Sequence, residues 1–295
     1  MKKKFKINTV SLVIAIALLI VMYLFGAAKY NRFGSLSTIL NLFNDNAYLI
    51  VVSVGMTFVL LTGGIDISVA SIVAFTGVFA AFLLEKGWAA APVIALTLFI
   101  GAFVGFLQGY AVHEFKIAPF LITLAGQFLM RGMCAVVSTI SIPITNDFFK
   151  SAALAKISWV TASGSRPKLY YYVFFAIAIV IIAWYILRFT RFGRAVYAVG
   201  SNEQSAQYMG LNVKGVKVGV YAINGFCSAL GGILFSFYTL AGYSLQNMGM
   251  ELDAISSAVI GGTLLTGGVG TVIGSMVGVL IQGIIQTIVT YQNLN

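Results

Sequence analysis

The chain has 295 residues, of which 60% are hydrophobic and only 9% charged. Soluble domains carry about 25% charged residues, and a water-soluble fold of this length could not hide so much apolar surface, so the composition points to an integral membrane protein. The net charge of +10 would suggest nucleic acid in a soluble chain; here the excess Lys and Arg marks cytoplasmic loops, and no nucleic-acid partner is expected.

Lys2, Lys3, Lys4 and Lys6 precede the first apolar run, 9–27. A signal peptide has the same outline, but a run of about 19 residues exceeds the usual 7–15 of a signal core. It reads as an uncleaved first span with a cytoplasmic N-terminus. Further runs follow at 45–62, 66–84, 89–111, 118–140, 170–188, 217–241, 251–265 and 269–291. The eighth is short for a span, which needs about 20 residues. The runs are continuous rather than alternating, which excludes a β-barrel. The expected fold is all-α: one polytopic membrane domain over 1–295, with about nine transmembrane or re-entrant helices.

Two octapeptides interrupt this pattern. LTGGIDIS spans 61–68, and LTGGVGTV spans 265–272. Gly63 and Gly64 release the backbone from regular helix, and Asp66 or Ser68 can cap the helix that follows. Gly267 and Gly268 repeat the break. Broken helices persist at membrane depth only inside protein or beside water, and breaks in corresponding places of two halves point to a transport pathway. A plain tight loop between spans is the alternative.

Intramembrane polar groups are few. Arg131 lies in the middle of the fifth run, where an arginine is costly unless paired or hydrated. It is expected to face the bundle interior, held by an acid or by backbone carbonyls, with substrate contact as the sharper alternative. Glu251 and Asp253 open the eighth run, where the helix dipole favours them. His113 reads as a loop histidine. Cys134 and Cys227 lack the spacing of a metal site or a disulfide framework. Gly101, Gly105 and Gly109, and likewise Gly270, Gly274 and Gly278, form small-residue ladders for close helix packing, within the chain or with a second subunit.

Counting six spans from a cytoplasmic N-terminus places 189–216 in the cytoplasm. Arg188, Arg191, Arg194, Lys214 and Lys217 against Glu203 agree with that side. The segment 141–169 then falls outside, although it carries Lys150, Lys156, Arg166 and Lys168. In the cytoplasmic stretch, Ser201 or Asn202 can cap a short helix over 205–211, Glu203 suits its positive end, and Gly210 or Asn212 closes it. Such a helix either connects two spans or docks a soluble partner. Nine spans leave the C-terminus outside, so either one run is re-entrant or a final span is missing.

The chain contains no GxxxxGK[ST], HExxH or GxSxG pattern, and each of those marks a specific chemistry. An enzyme is not expected, nor a metal site, and any ATP would be bound by another polypeptide. An ion-coupled secondary transporter using Asp66, Arg131 or Glu251 is the alternative.

Four stretches in order, LTGGIDISVASIVAFTGV, PFLITLAGQFLMRG, RFGRAVYAVGSNEQSAQYMG and ELDAISSAVIGGTLLTGGVGTVIGS, resemble the permease subunits of bacterial sugar ATP-binding-cassette (ABC) importers of the ribose/galactose branch. Within that branch, SIPITNDFF together with ITLAGQFLMRG and GIIQTIVTYQ is most similar to the galactofuranose-type permeases. The resemblance implies a multi-pass inner-membrane subunit that moves a monosaccharide. It implies a second permease subunit, a cytoplasmic ABC ATPase that binds the ATP, and a periplasmic sugar-binding protein as partners. It places a coupling helix at about 201–211, with Gly200, Ser201, Asn202, Glu203, Ala206, Met209 and Gly210 as its residues. It also implies one further helix beyond the last residue, Asn295.

Overall fold

The computed structural model describes residues 2–31, 33–160 and 166–292, with side chains from residue 10 onward. The Lys2, Lys3, Lys4 and Lys6 side chains, which carry the orientation of the first span, lie outside the described residues, as do Asn293, Leu294 and Asn295.

All nine apolar runs form helices: α1 (Lys2–Lys29), α2 (Leu36–Leu61), α3 (Val69–Glu85), α4 (Ala90–Glu114), α5 (Pro119–Val137), α7 (Tyr171–Phe189), α10 (Val213–Thr239), α11 (Met250–Ile260) and α12 (Val272–Tyr291). Seven are long and apolar enough to cross a membrane; α3, with 17 residues, and α11, with 11, are shorter. Among the described residues, three more helices, α6 (Asp147–Leu154), α8 (Arg191–Ser201) and α9 (Glu203–Tyr208), lie between α5 and α10. Among the described residues, four short strands pair as two antiparallel ribbons: β1 (Ile142–Pro143) with β4 (Ala241–Gly242), and β2 (Lys156–Ser158) with β3 (Lys168–Tyr170).

The core is organised around α2. From Asn46 to Leu61 only Tyr48 is not fully buried. A helix apolar all round belongs inside the bundle, and α2 packs against α7, α10, α11 and α12. Ser53 and Ser257 bond across 2.8 Å, and Thr57 and Ser275 across 2.6 Å. Such hydroxyl pairs satisfy polar groups where lipid offers no partner. The helix starts at Leu36, capped by Ser35, nine residues before the predicted run. Its first turns carry Asn41, Asn44, Asp45 and Asn46, which lower local hydropathy.

Both glycine ladders pack within the chain. A Cβ on Gly105 or Gly101 would strike the α10 backbone at Tyr221 or Gly225, and one on Gly109 would come within 2.8 Å of Val218 Cα. Gly274 and Gly278 meet Gly261 and Ser257 in the same way.

α6, α8 and the short strands are elements that the sequence reading did not predict, and α8 is the one nearest the breaks. Thr190 caps it, accepting from Gly193 N at 3.1 Å. The glycines at 193 and 200 and the basic residues mask its amphipathic pattern. α9 begins at Glu203, two residues before the predicted start. His113 sits in the last turn of α4 rather than in a loop.

Candidate functional site

The first break is a left-handed turn followed by an extended stretch. Gly63 has φ +77°, a conformation that costs glycine little. Gly63 N and Gly64 N close α2 on the carbonyls of Leu60 and Val59 at 2.9 and 3.2 Å. The chain then carries Asp66 into the core, where it is fully buried. Its carboxylate accepts from Ser68 N at 2.8 Å, Ser68 Oγ at 2.6 Å and Asn224 Nδ2 at 2.7 Å. Gln108 Nε2 donates to Ser68 Oγ at 2.9 Å, and Ile67 N donates to Thr123 Oγ1 at 3.2 Å. Residues of α4, α5 and α10 thus grip the break, as a buried carboxylate requires.

The expected side-chain cap of α3 does not form. Ser68 is the N-cap residue, but its backbone is already helical and its hydroxyl is turned to Asp66, so neither side chain caps a backbone N–H of the first turn. The Tyr221 hydroxyl is buried with no hydrogen-bond partner and lies 2.6 Å from where a Cβ on Gly64 would stand.

The second break meets the first. Gly267 and Gly268 have φ +85° and +73°, and Gly268 N donates to Leu61 O at 2.9 Å. That carbonyl belongs to the last turn of α2, where no intrahelical donor remains. The end of α8 completes the junction. A Cβ on Gly200 would collide with Leu61 O, and one on Gly267 would come within 2.7 Å of Gly200 O and 2.8 Å of Gly63 N. Tyr197 Oη donates to Gly270 O at 2.8 Å. Three backbones therefore touch where only glycine fits.

α9 hangs from this junction. Asn202 caps it, accepting from Ser205 N at 2.7 Å, and Glu203 pairs with Lys217 of α10 at 2.7 Å. Ala206 is buried, while Tyr208 and Met209 are 89% and 69% exposed. Gly210, at φ +77°, ends the helix. The predicted coupling residues thus divide: Gly200 and Ser201 face the breaks, Asn202 and Glu203 anchor α9, and Met209 and Gly210 stand at its exposed end.

The other polar residues lie elsewhere. Arg131 donates to the carbonyls of Ser244 and Gln246 at 2.8 and 3.0 Å. Glu251 accepts from Gln127 at 3.3 Å. Glu251 and Asp253 occupy the first turn of α11, but Gly249 is its N-cap and no side chain caps it. Both cysteines are buried and free, and among the described residues no cluster of His, Cys, Asp or Glu could hold a metal. Of the residues that sequence reasoning missed, Gln108, Thr123, Tyr221 and Asn224 are single polar side chains in apolar runs, which only their isolation could have marked, and Tyr197 lies in the basic segment of α8.

A family model described as branched-chain amino acid transport system / permease component matches residues 38–295. The chain is similar to the inner membrane ABC transporter permease protein YjfF of Escherichia coli K12, with 43% identity over 95% of this chain and 84% of that one. It is 37% identical to the fructose import permease protein FruG of Bifidobacterium longum, over 96% and 85%. It is 34% identical to the ribose import permease protein RbsC of E. coli K12, over 91% and 82%. No solved structure matches the chain. With its apolar helices and its matched length, this multi-pass membrane protein belongs to the branched-chain amino acid transport system / permease component family.

Proposed function

We propose that the chain is the membrane-spanning subunit of an ABC importer that carries a monosaccharide across the bacterial inner membrane. The relatives named for fructose and ribose favour a sugar over the amino acid of the family's description, and the motifs resembling galactofuranose-type permeases make galactofuranose the leading substrate. The partners would be a cytoplasmic ATPase that binds the ATP, a second permease subunit and a periplasmic sugar-binding protein. The α8–α9 end of the bundle faces the cytoplasm in this reading.

The observation that carries the mechanism is the contact of Gly200 with both breaks. The exposed end of α9 takes the push of the ATPase. α8 and α9 pass it as a rigid unit to Leu61 and Gly268, because three backbones in contact leave no soft side chain to absorb the movement. The breaks then open or close the inner end of the pathway, a two-state rearrangement of packed elements.

The test is uptake of radiolabelled D-galactose, whose aqueous equilibrium contains the furanose form, D-ribose and D-fructose by cells held at constant ATP with a protonophore. Continued uptake of one sugar, with an ATPase co-purifying with this chain, supports the reading. Uptake abolished by the protonophore would instead mark an ion-coupled transporter.

A further inference from the structure

At the end of the bundle opposite the junction, a cavity of about 420 Å³ opens between the start of α2, the end of α6, β3 and the ends of α7 and α10. Ligand pockets for small molecules span about 300–1,000 Å³. Its walls are specific. Ser37, Asn41 and Asp45 line it from α2, and their spacing of four places them on one helical face. They belong to the polar first turns of α2, which the predicted second span, 45–62, left out up to residue 44.

Facing them stand Tyr170, Tyr172 and Tyr238. The Tyr170 and Tyr172 rings stack with centroids 5.3 Å apart and planes 11° from parallel. The opposite wall is locked in place by Asn44, which is buried and clamps β3. Its Nδ2 donates to Lys168 O at 2.9 Å, and its Oδ1 accepts from Tyr170 N at 3.1 Å. Tyr238 and Asp45 line the same cavity from α10 and α2.

Side-chain amide, carboxylate and phenol groups opposite aromatic rings suit a small polyol, whose hydroxyls need hydrogen bonds and whose C–H faces need apolar contact. Arg166 and Lys168 line the cavity together with Asp45, so its charge is mixed, and the amide, phenol and aromatic groups are what suit a neutral polyol.

We propose that this vestibule binds a monosaccharide on the permease itself, at the far end of α2 from the Gly200 junction. The proposal rests on the sugar-import reading. Sixteen residues of buried helix separate Asp45 from Leu61, about 24 Å at 1.5 Å per residue. α2 therefore joins the vestibule to the junction as one rod, so sugar at one end and the partner ATPase at the other act on the same element.

The test uses the complete importer in vesicles, with Asp45→Cys and, separately, Tyr238→Cys. The two native thiols are buried, so a water-soluble maleimide reports the new cysteine. With the transported sugar at ~10 times its Kd, the labelling rate should fall about tenfold. The two sugars among D-galactose, D-ribose and D-fructose that are not transported should leave it unchanged. A cysteine that never reacts, or that reacts equally with and without the transported sugar while wild-type uptake is intact, overturns the vestibule and spares the import reading. Protection that appears without sugar in phosphatidylglycerol vesicles but not in phosphatidylcholine vesicles marks a lipid headgroup and also overturns it. A wild-type importer that carries none of the sugars removes the import reading, and the vestibule falls with it.

Discussion

Gly268 N donates to the carbonyl of Leu61 at 2.9 Å, so the two glycine breaks of the chain, far apart in sequence, are hydrogen-bonded to one another. Gly200 lies against the same carbonyl. A side chain there must displace the α2 terminus, the second break or α8.

Gly200→Ala tests that packing. Overpacking costs roughly 1–3 kcal/mol, and here the neighbours are backbone and cannot turn aside. Uptake should fall below a tenth of wild type while the protein still reaches the membrane and still retains the ATPase. Wild-type uptake by this variant would mean that the close approach is not used in transport.

The Glu203–Lys217 pair makes a different prediction. The Glu203 side chain is 47% exposed, and exposed ion pairs contribute about 0–1 kcal/mol. Glu203→Lys should leave the melting temperature in detergent nearly unchanged but detach α9 from α10 and reduce uptake strongly. The swap Glu203→Lys with Lys217→Glu restores the pair and should recover part of the uptake. A single variant with normal uptake would remove α9 from the coupling route.

Asn224→Leu leaves the buried Asp66 carboxylate without one of its three donors. An unsatisfied buried polar group costs about 1–3 kcal/mol, and more for a charged one. The thermal midpoint should drop clearly, and Asp66→Asn in the same background should return part of the loss. No drop would show that water replaces Asn224 at the break.

Arg131→Met removes two donors to backbone carbonyls, Ser244 O and Gln246 O. Hydrogen bonds to charged groups contribute about 1.5–3 kcal/mol, so the variant should be less stable by that order, with sugar preference unchanged. A stable variant with altered sugar preference would reassign Arg131 to the pathway.

Much of this protein is legible in its sequence because the membrane imposes one rule: every backbone polar group in lipid must be satisfied within its own segment. Continuous apolar runs therefore announce nine helices, Gly63–Gly64 and Gly267–Gly268 announce breaks, and the capping chemistry of Asn202 and Glu203 announces α9. The partners of these elements are not local. That Gly101, Gly105 and Gly109 serve α10 rather than a second subunit follows only from which helix lies beside them. The amphipathic α8, the Asn224 and Gln108 contacts to the first break, and the meeting of Leu61, Gly200 and Gly268 depend on residues distant along the chain. A single polar side chain in an apolar run looks the same whether it faces lipid, water or another helix. Only the packing of α2 at the centre, with α4, α5, α8 and α10 around its broken end, decides which of these it meets.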